Sequence, residues 1–366
     1  MSKIPFSDLT ISNPTECGIT IPEGEIITAL SSGGISIYRP ETKGSLVARR
    51  AISMMLGGVL CPDNIQLTAS TSEAYSYLFK LLCNPGDNII VPCPSYPLFE
   101  WLARLEGVIS KAIPMMFFGG WKLDIEAIES ACDANTRAIV VVNPNNPTGQ
   151  FISESDWNDL MEVANKKHLS IIVDEVFASY PIEYQGDALH TVINGSMPSC
   201  PVFVLSGLSK LVASPQLKLA WIAMLGPAIT AAEHLAFIAD QYLSVSSPVA
   251  SAVPALLEMA PTIQHKVISR VRDNLSILNN LLLEHPHLSR CPVYGGWCVL
   301  IRRPDIEPDE ECATRLLSEY HLLIYPGHFF DINKNGFLVA SLLLEPNKFF
   351  VAIEKLMRGL ELNPAG

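Results

Sequence analysis

Four short apolar runs rich in β-branched residues recur between about residues 65 and 225, at 88–92 (NIIVP), 138–142 (AIVVV), 170–174 (SIIVD) and 202–205 (VFVL). They show no alternation of polar and apolar positions, the pattern of strands buried on both faces of a mostly parallel sheet. Longer segments with helical periodicity separate them, at 71–82, 98–106, 124–132 and 153–167. Such alternation predicts an α/β domain with helices on both faces of the sheet. After about Ser247 the pattern changes. A long helix is expected over 249–284, ended by Pro286, then strand-like CPVYGGWCVLIRR. A helix beginning near Asp309, strand-like HLLIYPG and GFLVASLLL, and a last helix over 347–360 complete the chain. The organisation read from this is a large domain over 41–250 and a smaller α/β domain over 251–366, with residues 1–40 as an arm that contributes to the small domain.

Composition adjusts this picture in three places. Hydrophobic residues are 49% and charged residues 17% of 366, and the mean hydropathy is +0.27. No apolar run reaches the roughly 18 residues a spanning helix needs. The most apolar stretch, 217–239, is interrupted by Lys218, Gly226, Pro227, Glu233 and His234, so the excess is assigned to a large core and a buried subunit interface. Nine scattered cysteines without a CxxC spacing point to reduced thiols in the cytoplasm, not to disulfides or a metal site. The N-terminus shows neither an apolar signal core nor an Arg-rich transit pattern. A net charge of −12 with no basic cluster longer than a pair argues against nucleic acid as a partner.

Four local features carry chemistry. In Leu67–Tyr75 (LTASTSEAY) a strand end runs through Ala69, Ser70 and Thr71 into a helix, where free N–H groups and hydroxyls form an anion site; an ordinary helix cap reads the same way. The string Asn143-Pro144-Asn145-Asn146-Pro147-Thr148-Gly149 places a turn at the carboxyl end of a strand, where open α/β sheets bind ligands. Asp174 closes the SIIVD strand and is placed to pair with a protonated ring nitrogen. A strand ending in Asp-Glu also occurs in nucleotide sites, but the chain has no GxxxxGK[ST]. Lys210, in Ser206-Gly207-Leu208-Ser209-Lys210, follows another buried strand. Desolvation there makes an amine nucleophilic, whereas most lysines are solvated surface charges.

In this order and spacing, NPNNPTG, DEVF and SGLSK resemble the signatures of the class I/II aminotransferases, fold-type I enzymes that use pyridoxal 5'-phosphate (PLP) and form homodimers with shared active sites. The likeness runs over nearly the whole chain. It implies that Lys210 forms the Schiff base and shuttles the proton, with Asp174 on the pyridine nitrogen and Tyr96 stacked on the ring. It further implies Asn146 at the ring's 3'-oxygen, and Ala69, Ser70, Thr71, Ser206 and Ser209 around the phosphate. Tyr38 is implied to cross to the partner's phosphate, and Ser12 and Asn13 to help hold a substrate carboxylate. The substrates would be an amino acid and a 2-oxo acid.

Three positions depart from the family pattern. Phe177 stands where a tyrosine usually donates to the 3'-oxygen, so the bound chromophore is expected to titrate at higher pH than in typical relatives. Lys218 replaces a phosphate-gripping arginine, keeping the charge without the bidentate fork. Val339 occupies the place of the carboxylate-binding arginine, and no arginine lies between Arg315 and Arg358. Arg39, Arg302 and His328 are the substitutes considered, each also readable as structural. With that anchor gone, a PLP-dependent lyase or decarboxylase is the rival reaction. A non-enzymatic PLP-binding regulator would need an added DNA-binding part.

Overall fold

The computed structural model describes residues 6–33 and 36–361. A seven-stranded sheet forms the centre: β1 (Ile65–Thr68), β2 (Asn88–Cys93), β3 (Ile109–Pro114), β4 (Thr136–Val142), β5 (Ser170–Asp174), β6 (Val202–Gly207) and β7 (Ala220–Leu225). Their spatial order is β1-β7-β6-β5-β4-β2-β3. All neighbours are parallel except β7, which runs antiparallel to both β1 and β6. Helices α1 (Glu23–Ser31) and α2 (Leu46–Met55) precede the sheet; α3 (Thr71–Leu82), α4 (Phe99–Leu105), α5 (Ile125–Ala131), α6 (Glu154–Lys167), the short α7 (Leu208–Leu211) and α8 (Ala232–Asp240) follow along it. Side-chain alternation explains the unbroken apolar runs. In β5, Ile171 and Val173 enter one hydrophobic cluster and Ile172 the other, so each face of the strand is buried by its own layer.

The four expected strands and the helices between them are present, two of them (170–174 and 71–82) with the expected ends and the others shifted by one or two residues. Two of the shifts are caps. Asp124 and Ser153 sit just outside α5 and α6, and their side chains accept the amides of Ala127 and Asp156. The pattern did not mark β3, a half-exposed edge strand, or β7, which lies inside the most apolar stretch of the chain.

The later part is built on α9 (Ser247–Leu282), which joins the two halves. Its residues up to Ile263 pack in the core of the large sheet, and Val267, Val271, Leu275 and Leu278 pack in the second core. That second core lies under a four-stranded antiparallel sheet, order β8-β9-β11-β10, of β8 (Ser289–Arg290), β9 (Cys298–Arg302), β10 (Tyr325–Pro326) and β11 (Phe337–Ser341). Helices α10 (Asp309–Tyr320) and α11 (Pro346–Gly359) pack with it. The arm reaches this side of the molecule, because Ser7 and Asp8 pair in parallel with Leu322 and Leu323. The architecture is the layered α/β fold expected from the pattern, a mostly parallel sheet plus a smaller α/β unit.

Candidate active site

Parallel strands place their carboxyl ends on one edge of the sheet, and the expected site residues follow those ends. Asp174 is the last residue of β5, and β6 ends at Gly207, whose neighbour on β7 is Ala220. A Cβ at Gly207 would stand 2.8 Å from that of Ala220. Only glycine admits so close an approach, and it fixes where α7 begins and therefore where Lys210 projects.

Lys210 Nζ lies 4.9 Å from the Trp297 ring centre and 5.5 Å from that of Phe177. Among the described residues no carboxylate pairs with it. Burial pushes its pKa below the usual lysine value, opposed by Cys298 and Asp174. A cation there has aromatic faces for company, but it has lost much of its water. Asp174 is buried beside it, and burial raises its pKa to about 6. Opposing that rise, the Val176 amide donates to Asp174 Oδ1 at 3.1 Å, the Tyr75 hydroxyl donates to Oδ2 at 3.1 Å, and the Lys210 charge adds to both.

Neighbouring Glu175 turns away from the site. It accepts from the Thr191 hydroxyl at 2.7 Å and the Val192 amide at 2.8 Å, and burial raises it to about 7. The three asparagines after β4 also divide their roles. The Asn143 amide donates to Leu189 O and its carbonyl accepts the Ile152 amide. Asn145 donates to Pro94 O and accepts from the amide and hydroxyl of Thr148. These two hold the loop, leaving the partly exposed Asn146 outside that network. Gly149 closes the turn at φ +70°, where a Cβ would lie 2.8 Å from Gly295 O.

At the head of α3 the cap uses part of the expected anion site. Ser70 Oγ accepts the Glu73 amide at 3.1 Å, and the Ala69 amide donates to the Glu73 carboxylate at 2.6 Å. This reciprocal cap leaves the amides of Thr71 and Ser72 as the first ones without an intrahelical acceptor. Ser206 and Ser209, both partly exposed, flank the start of α7. Lys218 is exposed, with left-handed backbone (φ +50°), two residues before β7.

Aromatic side chains that the sequence pattern did not single out build the walls. Trp297 packs edge-on against Phe177 and Tyr180, and its indole N–H donates to Ser12 Oγ at 2.8 Å. This bond brings the N-terminal turn to the site; Asn13 there accepts from Thr15. The Tyr180 hydroxyl donates to the Lys210 carbonyl. The Cys298 thiol, pushed up to about 12 by burial, lies within electrostatic reach of Lys210. Tyr96, 44% exposed, feels both Asp174 and Tyr325, and burial raises its pKa.

The remaining candidates lie elsewhere. Arg302 stacks over Phe117 at 5.2 Å and Phe337 at 6.0 Å. His328 is exposed and stacks on Phe329. Tyr38 (69% exposed) and Arg39 lie in a surface loop, lining a groove with Leu243 and Ser244. Val339 is 1% exposed, inside an apolar cluster with Trp121, Leu300, Phe330 and Phe337.

Comparison with known proteins places this geometry. The sequence profile described as "Aminotransferase class I and II" matches residues 20–343. Nicotianamine aminotransferase 1 of Oryza sativa subsp. japonica is 32% identical over 326 residues, covering 83% of this chain; the aligned part spans only 64% of the rice protein's length. Glutamate-pyruvate aminotransferase AlaA of Haemophilus influenzae is 26% identical, covering 96% of this chain and 90% of its own. In fold, the crystal structure of tyrosine aminotransferase from Leishmania infantum superposes with a TM-score of 0.88 at 22% identity, covering 98% of this chain and 92% of that one. The profile match spans most of the chain, and this protein belongs to the class I and II aminotransferases, a PLP-dependent family.

Proposed function

We propose that this chain moves an amino group from an amino acid to a 2-oxo acid, with Lys210 as the residue that carries PLP. The observation behind this is a partly buried amine within 6 Å of the Trp297 and Phe177 ring centres, with a buried carboxylate, Asp174, beside it. The residues present fit the cofactor. Lys210 meets its aldehyde, and Asp174 meets a pyridinium N–H, a cation that would ionise a carboxylate raised by burial. The unpaired amides of Thr71 and Ser72 fit the phosphate, with Ser70, Ser206, Ser209 and Lys218 around it and the Ala69 amide fixed by Glu73. Tyr96 fits the ring face and Asn146 the 3'-oxygen. Bound there, PLP supplies the electron sink that lets a C–H bond beside the amino nitrogen break. The Lys210 amine, displaced by substrate, takes that proton and returns it, a task suited to a base whose pKa burial has lowered.

Mixing the PLP-loaded protein with a panel of amino acids tests this. Appearance of pyridoxamine phosphate together with a 2-oxo product supports it. Carbon dioxide release, or loss of the substrate's side chain, with PLP left unchanged rules in the lyase reading instead.

Three more assignments belong to this reading. Tyr38 reaches the partner's phosphate in a homodimer. The support is that Tyr38 is 69% exposed in a surface loop, where a second copy of the chain can meet it. Tyr38→Ala is expected to weaken PLP binding about tenfold, read by equilibrium dialysis, as the loss of one hydrogen bond to a charged group implies; unchanged affinity would remove Tyr38 from the site. The small domain is taken to begin near residue 251, early in α9, whose side chains pass from one core to the other between Ile263 and Val267. A cytoplasmic location fits nine free cysteines among the described residues and the absence there of any helix long and apolar enough to cross a membrane.

Two positions in the walls give separate expectations. The Phe177 ring offers no donor, so Phe177→Tyr is expected to lower the pH at which the visible band of the PLP-loaded protein titrates. An unchanged or higher midpoint would show that this ring edge does not face the 3'-oxygen. Tyr75→Phe removes one of the two hydrogen bonds to Asp174. A bond to a charged group is worth about 1.5–3 kcal/mol, so activity is expected to fall roughly ten- to hundredfold with the fold intact by circular dichroism.

A further inference from the structure

The sheet face that turns Cys298 toward Lys210 is uncharged around Cys298. In the antiparallel pairing Cys298 stands opposite Ser341, Leu300 opposite Val339 and Arg302 opposite Phe337, and opposed residues share a face. Along that face the groups are therefore a thiol, a hydroxyl, two aliphatic chains and Phe337, with Arg302 as its one cation. Arg302 is four residues from Cys298, about 13 Å along an extended strand, and its guanidinium is stacked on Phe117 and Phe337. The ring centres of Phe177 and Trp297 both lie within 6 Å of the Lys210 amine.

A carboxylate taken out of water beside Cys298 finds, among the described groups of this face, no fixed cation nearer than Arg302 to compensate it. An apolar group gains by the same transfer, because every methylene leaves water for aromatic and aliphatic neighbours. We infer that this site takes primary amines with an apolar aryl or alkyl body, whether or not a carboxylate is attached to the reacting carbon. The inference rests on the transamination reading and narrows its substrate class. The reaction balances for either kind of substrate. The C–H and C–N bonds of the reacting carbon break, the nitrogen passes to the cofactor's aldehyde carbon, and the aldehyde oxygen reaches the substrate carbon through water. Two electrons move from the substrate carbon to the cofactor carbon. The product is an aldehyde from a simple amine and a 2-oxo acid from an amino acid.

The test is equilibrium binding to the cofactor-free protein, followed by tryptophan fluorescence because Trp297 borders the site. The probes are the reduced adducts N-phosphopyridoxyl-phenylalanine and N-phosphopyridoxyl-phenethylamine, which differ only in the carboxylate. Dissociation constants within tenfold of each other, both below that of pyridoxamine phosphate, are expected. A site built to bond the missing group would separate such a pair by about 10⁴-fold, so a preference for the phenylalanine adduct of more than tenfold overturns the inference and leaves transamination standing. Failure of both adducts to bind more tightly than pyridoxamine phosphate overturns the inference as well. The transamination reading is judged separately, by whether pyridoxamine phosphate forms with any amino donor.

Discussion

Replacing Lys210 with alanine is expected to lower the rate of amino transfer at least about 10⁴-fold, since a positioned proton-transferring group alone contributes up to about that factor. The visible band that forms on adding PLP should also vanish. Both losses follow from one amine, because it is at once the attachment point for the cofactor and the base beside the reacting carbon. The fold should survive. Lys210 forms no ion pair among the described residues, and the Tyr180 hydroxyl bonds its main-chain carbonyl, which alanine retains. An unchanged circular dichroism spectrum with lost activity is the expected outcome. Retention of more than about a hundredth of the rate would place the working amine on another lysine.

Asp174→Asn is expected to act in opposite directions on activity and on stability. In the loaded protein it removes the counter-charge of the ring nitrogen, and the rate should fall about 10²- to 10³-fold, the scale on which one electrostatic partner of a reacting group counts. In the cofactor-free protein the same change should stabilise. Burial raises the folded-state pKa of Asp174 from 3.8 to about 6, so the folded chain holds its proton more tightly than the unfolded chain does. Between these values the folded state binds more protons, and its stability falls as pH rises. The penalty is absent below about 3.8 and complete above about 6, and a shift of this size corresponds to about 3 kcal/mol. Asparagine never ionises. Cofactor-free Asp174→Asn should therefore exceed the parent by up to about 3 kcal/mol in urea unfolding at pH 8, and the two should converge near pH 4. Glu175 is common to both proteins, and loss of the Asp174 charge that helps to raise it acts in the same, stabilising direction. A variant less stable than the parent at both pH values would mean that the carboxylate bears no burial penalty.

The parts of this site that were legible in the sequence are those written locally. A strand end followed by a turn string or a Gly-x-x-Lys segment carries its position in a few consecutive residues, so Asp174, Asn146 and Lys210 could be placed on one edge of the sheet from pattern alone. The walls could not. Tyr75 meets Asp174 across 99 positions, and Trp297 meets Ser12 across 285; nothing in either neighbourhood announces the partner. The same limit affected β7, where antiparallel insertion between β1 and β6 leaves no mark on an already apolar segment. Arg302 and His328 were considered because of their charge and titration. Arg302 instead stacks on Phe117 and Phe337, aromatic neighbours distant in sequence, while His328 packs against the adjacent Phe329. Glu73 adds a case where a familiar helix cap, visible as Ser70-x-x-Glu73, uses the Ala69 amide that the anion-site reading had assigned to phosphate.

The central claim is that Lys210, and no other of the 13 lysines, holds the cofactor. Loading the protein with PLP, reducing it with borohydride and mapping the phosphopyridoxyl group by peptide mass spectrometry tests this directly. The account predicts stoichiometric label on the peptide containing Ser209-Lys210-Leu211. Label on Lys218 or on any other lysine, or no stable label after reduction, would contradict it.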